Sequence, residues 1–310
     1  MNKIPVIIDC DPGLDDAVAL ILAGRNEKID IKGVTVVGGN QTLEIVGRNA
    51  LRLLDLIGID APVAYGFGGP MVRELVMAPE VHGSDGIQGV VLPETDRRIS
   101  KLHAIDLMAE ILKASQEKIT LITMGPLTNV GMLLKRFPEL AEKIERISLM
   151  GGVLNGGNCT CSAEFNIYVD PEAASIVFNS GIPITMSGLD LTHKAILLPE
   201  EIQELRELDN EVAGVLVNLL DKITEFHHSI GDEFCYLHDP VALIAASHPE
   251  IIKTKALRVD IELQGEFTTG MTVANQNPRF NQYPNADVGL EIDRQAFAKI
   301  IKEIAMKYEQ

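Results

Sequence analysis

Short apolar runs rich in Val and Ile alternate along this chain with longer stretches in which apolar residues return at helical spacing. The first run, Ile4-Pro5-Val6-Ile7-Ile8, is apolar at successive positions, so both of its faces would be buried. That predicts a strand inside a parallel sheet. Further strands are expected at 33–37, 119–124, 147–150, 182–186 and 257–263, and helices at 43–57, 104–114, 129–137, 171–179 and 294–307. Such alternation predicts an α/β protein: a single domain over 1–310 with a mainly parallel central sheet flanked by helices. No repeat, low-complexity segment or linker divides it. The stretch 199–238 begins with a rather polar helical pattern and is expected to form a helical cap over the site.

Directly after the first run stand four carboxylates in eight residues, Asp9-Cys10-Asp11-Pro12-Gly13-Leu14-Asp15-Asp16. Pro12-Gly13 signals a turn, and Ala17-Val18-Ala19-Leu20-Ile21-Leu22-Ala23 reads as a buried helix with Asp15 and Asp16 in its first turn. Helix capping and ordinary turn chemistry would explain one or two of these acids. Four together repel one another, and their ionised forms are costly beside a buried strand unless a cation or hydrogen-bond donors compensate. Carboxylate oxygens favour a hard ion such as calcium, magnesium or manganese over zinc. An EF-hand is excluded: with Asp9 as the first loop position, Leu14 falls where glycine is needed and Leu20 where the bidentate Glu belongs. The ligands must converge from several loops.

A net charge of −17 gives no electrostatic footprint for nucleic acid or an anionic membrane surface, which leaves a small neutral or cationic substrate. Cys10, Cys159, Cys161 and Cys235 make no zinc spacing, so reduced thiols and a cytoplasmic location are expected. The first residues lead straight into a strand without a signal peptide pattern, and no apolar run reaches membrane-spanning length.

In open α/β sheets ligands lie beyond the carboxyl ends of the strands. Three of the expected strands here run into Gly38-Gly39-Asn40, Gly125-Pro126-Leu127-Thr128-Asn129 and Gly151-Gly152, polar groups and glycines that allow close backbone approach. Glu164 and Asn166 would point the same way from an extended segment, with Asn158 nearby, a set suited to sugar hydroxyls. His238-Asp239-Pro240 precedes an apolar helix, where Asp239 is also the expected cap. His82 lies in a glycine-rich stretch that reads as a flexible loop and candidate lid. No G-x-S-x-G, P-loop or dinucleotide fingerprint is present.

Taken together, Asp9-Cys10-Asp11-Pro12-Gly13-Leu14-Asp15-Asp16-Ala17 resembles the signature of the inosine–uridine nucleoside hydrolases. Val37 to Leu43, Gly125 to Asn129, Met150-Gly151-Gly152, Ala163 to Asn166, Gly188 to Thr192 and His238-Asp239-Pro240 resemble that family's further blocks in order. The resemblance implies an open α/β fold of that family and hydrolysis of the N-glycosidic bond of a ribonucleoside to ribose and free base. It implies calcium held by Asp11, Asp16, Asp239 and the backbone carbonyl of Met124. Relatives often carry Thr at the position of Met124, a departure of little weight where the ligand is a main-chain oxygen. Asp11 would also be the base that deprotonates the attacking water, and Asp9 would stand behind the ligands and orient the loop. Asp15 would hold the ribose 2′ hydroxyl with Asn40 close by, Asn166 the 3′ hydroxyl, and Asn158 and Glu164 the 5′ hydroxyl. His238, then His82, would stand beside the leaving base. A homo-dimer or homo-tetramer is implied by the family alone.

For the base, residues 225–231 lack the Gln and Tyr of pyrimidine-specific relatives, and the chain has no Trp for purine stacking. Gln264 to Gly270 resembles broad-specificity members, so both purine and pyrimidine nucleosides are the expected substrates, with His227 or His228 touching the base. A pyrimidine-preferring hydrolase is the alternative. A magnesium-dependent haloacid dehalogenase-type phosphohydrolase fits poorly, because Pro12-Gly13 comes after its D-x-D and Tyr236 stands where its last Asp belongs. A non-catalytic nucleoside sensor would be expected to have lost part of the acidic set, all of which is present.

Overall fold

The computed structural model describes residues 3–277, 279, 280 and 282–309. In chain order the first half runs β1 (Ile4–Cys10), α1 (Leu14–Gly24), β2 (Ile29–Val36), α2 (Leu43–Leu56), β3 (Val63–Tyr65), α3 (Pro79–His82), α4 (Ala104–Ala114), β4 (Ile119–Thr123), α5 (Thr128–Arg136) and β5 (Ile144–Met150). The second half adds α6 (Phe165–Val169), α7 (Pro171–Phe178), β6 (Ile184–Ser187), α8 (Leu189–Thr192), β7 (Ile196–Leu197), α9 (Pro199–Arg206) and α10 (Glu211–Ser229). It closes with β8 (Cys235–Tyr236), α11 (Asp239–Ser247), β9 (Ile252–Leu257), β10 (Val259–Ile261), β11 (Thr272–Ala274), β12 (Ala286–Ile292) and α12 (Arg294–Met306).

One eight-stranded sheet has the order β3-β2-β1-β4-β5-β6-β12-β9, parallel throughout except for the edge strand β9, which runs antiparallel to β12. From β1 the chain winds outward one way through β2 and β3, and then returns to wind the other way from β4. The topological switch point therefore lies between β1 and β4, where open sheets form their ligand crevice.

Both faces of the central strands β1 and β4 are covered, as the unbroken apolar run of β1 requires. Val6, Ile8 and Cys10 face a core shared with α1, α2, α10, α11 and α12. Ile7 faces a second core built with α4, α5 and α7. Side chains alternate along a strand, so Asp9 takes the Ile7 side and meets α5 there. Helix α10 contributes Val212, Val215, Leu216, Leu219, Leu220 and Ile223 to the first core and packs against α1.

Several expected elements differ in extent. The stretch 257–263 is not one strand: it divides between β9 of the main sheet and β10, which pairs antiparallel with β11. Strand β12 is not among the expected strands, because Asp287 and Glu291 interrupt its apolar pattern on the half-open flank beside β9. Among the described residues no helix is long and apolar enough to cross a membrane.

Phe178, at the end of α7, is 1% exposed and among the largest side chains sealed in the second core. Truncation to Ala should cost about 3–5 kcal/mol of unfolding free energy in urea titrations, because the cavity cannot collapse within a close-packed layer. A loss under about 1 kcal/mol would contradict this packing.

Candidate active site

Strand β1 delivers Asp9 and, just past its end, Asp11 to the switch point. Asp9 is fully buried: its Oδ1 accepts hydrogen bonds from Thr35 Oγ1 at 2.5 Å and Asn129 Nδ2 at 2.8 Å. Burial raises its pKa to about 7 against the lowering effect of those two donors. Its backbone carbonyl accepts from Met124 N at 2.9 Å, which ties the loop after β4 to the loop after β1.

Asp11 Oδ2 accepts from Asn40 N at 2.7 Å, while its Oδ1 is buried with no partner. Two glycines permit this position. A Cβ on Gly125 would lie 2.5 Å from Asp11 Oδ1, and one on Gly39 would collide with Oδ2. Gly125 is next in the chain to Met124, so the unpartnered oxygen lies against the peptide that carries the Met124 carbonyl.

Asp16 serves two loops from the first turn of α1. Its Oδ1 accepts from Asp11 N and its Oδ2 from Gly13 N, both at 3.1 Å, and Asn40 Nδ2 reaches Oδ2 at 3.2 Å. Asp239, first residue of α11, stands beside Asp16, and the two carboxyl groups act on each other's charge. Asp15 Oδ2 accepts from His238 N at 3.1 Å. Burial raises the pKa of all four acids, Asp15 to about 7, and for Asp11 and Asp239 the neighbouring Asp16 charge raises it further.

These carboxylates draw together residues 11–16 and 239, which are more than two hundred positions apart in sequence. Among the described residues no three His, Cys, Asp or Glu side chains are already spread around a vacant centre as metal ligands. The chemistry of the donor set nevertheless fits a hard divalent cation. It is all oxygen, it holds an unpartnered buried carboxylate oxygen, and its acids repel one another in a way that a cation would relieve.

Around the ends of β4 and β5, Glu164 and Asn166 are not in an extended segment. Glu164 is the cap of α6, and its carboxylate accepts from Gly152 N, Asn166 N and Ile167 N at 2.9, 2.9 and 3.1 Å. Burial sets its pKa at about 7 against those donors. Asn166 Nδ2 donates to the Met124 carbonyl at 2.7 Å and the Met150 carbonyl at 3.2 Å, so it joins the ends of β4 and β5. Asn158 is exposed, and its Oδ1 accepts from Phe165 N at 3.0 Å at the edge of the same loop.

The histidines form a separate, uncharged side. His82 is buried at the end of α3, not carried on an open glycine loop. Its Nδ1 accepts from Leu14 N at 3.1 Å, capping α1 from 68 residues away, and burial lowers its pKa to about 4. Burial lowers that of His238 to about 3, with His193, His227 and His82 adding to the effect. The His238 ring lies 5.6 Å from that of His193 and 6.1 Å from that of His227, centroid to centroid. Tyr236 packs against both of these neighbours, at 5.4 and 4.9 Å. His193 and Tyr236 carry no motif of their own in the sequence, whereas Thr192, whose hydroxyl lies 2.7 Å from His238 Nδ1, ends a recognisable block.

Comparison with known proteins agrees with this architecture. A family model described as inosine-uridine preferring nucleoside hydrolase matches residues 6–299. The chain is 47% identical to the pyrimidine-specific ribonucleoside hydrolase RihA of Photobacterium profundum, over 98% of this chain and 99% of that protein. It is 44% identical to the protein of the same name from Klebsiella pneumoniae, over 97% of each. Among solved structures, a plant nucleoside hydrolase superposes with a TM-score of 0.91 at 30% identity, covering 98% of this chain and 99% of that one. The purine-preferring ribonucleoside hydrolase of Gardnerella vaginalis also gives 0.91, at 28% identity, over 98% and 99% of the two chains. The chain belongs to the inosine-uridine preferring nucleoside hydrolase family and is an N-ribohydrolase of ribonucleosides.

Proposed function

We propose that this enzyme prefers pyrimidine ribonucleosides and works with calcium bound at Asp11, Asp16, Asp239 and the Met124 carbonyl. The observation that carries the metal reading is the unpartnered, fully buried Asp11 Oδ1 beside the like charges of Asp16 and Asp9. Calcium there would lower the pKa of a bound water and orient ribose hydroxyls.

The remaining work falls to the chain's own groups. Asp11 accepts the proton of the water that attacks C1′; the Asn40 N–H holds its Oδ2 in place. Glycosidic cleavage develops positive charge on the ribose, and the surrounding carboxylates stabilise that charge electrostatically. Asp15 takes the 2′ hydroxyl and Asn166 the 3′ hydroxyl, while Asn158 and Glu164 lie toward the 5′ hydroxyl. Because Glu164 already accepts three backbone N–H groups, its main contribution is to hold the Gly152 and Asn166 loops. His238 stands at the leaving base. His82 acts from beneath, through the first turn of α1.

Pyrimidine preference is the reading we favour over the broad specificity expected from the resemblance of Gln264 to Gly270 to broad-specificity members. Curated relatives at 44–47% identity carry the pyrimidine-specific name. His227 and Tyr236, packed ring against ring beside His238, offer polar and aromatic contacts in place of the missing Gln and Tyr. The free thiols suit a reducing, cytoplasmic setting.

Asp11→Asn should lower kcat by roughly a thousandfold or more while ribose still binds in calorimetry. Near-normal turnover would remove Asp11 as the base. In parallel reducing-sugar assays, kcat/KM for uridine and cytidine should exceed that for inosine, adenosine and guanosine by at least about tenfold. Equal rates would restore the broad reading. Gly39→Ala, which drives a methyl group onto Asp11 Oδ2, should reduce kcat by about a hundredfold, since small misplacements at the reacting centre are costly. Unchanged kcat would show that Asp11 is not held where the structure places it.

A further inference from the structure

We propose that Thr192 is a positioning residue that fixes the His238 ring with Nδ1 bare and Nε2 protonated, so that Nε2–H hydrogen bonds to the departing base. This rests on His238 standing beside that base. Thr192 is the last residue of α8 and is fully buried. Its Oγ1 lies 2.7 Å from His238 Nδ1.

The direction of that bond can be settled by counting donors. Either the hydroxyl donates to a bare Nδ1, or a protonated Nδ1 donates to the hydroxyl oxygen. In the second case the threonine O–H proton would be left in a dry interior with no acceptor, because among the described residues Thr192 Oγ1 has no other partner. A buried donor without an acceptor is the costly arrangement, so the hydroxyl donates. Nδ1 is then the acceptor, and the ring carries its proton on Nε2. That atom makes no hydrogen bond to a described residue, which leaves it available to a ligand.

The threonine is itself held. Gly188 starts α8 in extended geometry, Thr192 N donates to Gly188 O, and Leu189 N donates to Gly152 O in the loop after β5. The His193 and His227 rings close on His238 from the sides. Ring position and tautomer are therefore set before substrate arrives, which is the condition for stabilising charge without reorganisation.

No proton leaves the imidazole in this role. The C1′–N bond breaks with its electron pair moving to the base, and Nε2–H donates to the atom of the base where that charge collects. The water oxygen bonds to C1′, its proton passes to Asp11, and the released base is protonated from solvent.

The test compares Thr192→Val, which keeps the shape without the hydroxyl, with Thr192→Ser, which keeps the hydroxyl. Uridine needs help at its leaving group, whereas p-nitrophenyl riboside releases a stable anion. Thr192→Val should lose about tenfold in kcat on uridine, the equivalent of one hydrogen bond, and less than about twofold on p-nitrophenyl riboside. Thr192→Ser should match the parent on both. In 15N-histidine NMR of the parent enzyme, the His238 signals, assigned by loss in His238→Gln, should show Nδ1 unprotonated and Nε2 protonated. Equal losses on both ribosides, no loss on uridine, failure of the serine variant to rescue, or a protonated Nδ1 would each overturn the proposal. A parent enzyme that cleaves p-nitrophenyl riboside but no pyrimidine nucleoside would instead count against the base preference, with the NMR pattern still deciding the tautomer.

Discussion

Burial of mutually repelling carboxylates at the switch point of a parallel sheet is the constraint on which this structure depends. Asp9, Asp11, Asp15, Asp16 and Asp239 are each buried, and each has a raised pKa whose largest cause is that burial. A dry, doubly covered strand is the wrong place for such groups unless donors are brought to them. The fold brings them as backbone N–H groups of Asp11, Gly13, Asn40 and His238. The oxygens those donors leave unsatisfied, above all Asp11 Oδ1, are the capacity left for a cation.

The same constraint divides the site into two halves of opposite electrostatic character. Oxygens crowd the side that would meet ribose, where positive charge develops. Neutral imidazoles and Tyr236 crowd the other side, and burial keeps His82 and His238 uncharged. In the proposed mechanism, a base leaving as an anion would meet the His238 side of the site rather than the carboxylate side. Short tethers hold the halves together: His238 N on Asp15 Oδ2, and Leu14 N on His82 Nδ1.

Much of this is legible in the sequence because it is local. The β1 run, the turn at Pro12-Gly13 and the apolar α1 fix the acidic loop from neighbours alone, and glycines after β2 and β4 mark where backbone must approach Asp11. Less is legible where partners are distant or the pattern is interrupted. His82 sits beside glycines and reads as a mobile loop, yet a donor 68 residues away buries it. Glu164 and Asn166 read as an extended pair, but capping of α6 by Glu164 turns the segment helical and spends its carboxylate on backbone. Edge strand β9 buries only its two end residues, so no apolar period marks it. Thr192 lies within a recognisable block, and only its 2.7 Å approach to His238 gives it a role.

Stability measured with and without calcium decides whether the buried acids hold a cation. A ligand that binds only the folded state stabilises it by about 2.7 kcal/mol at a hundred times its Kd. Saturating calcium added to chelator-treated protein should therefore raise Tm by about 5 °C or more, and Asp239→Asn should lose most of that rise. A Tm indifferent to calcium in the parent protein, or an equal rise in Asp239→Asn, would contradict the account.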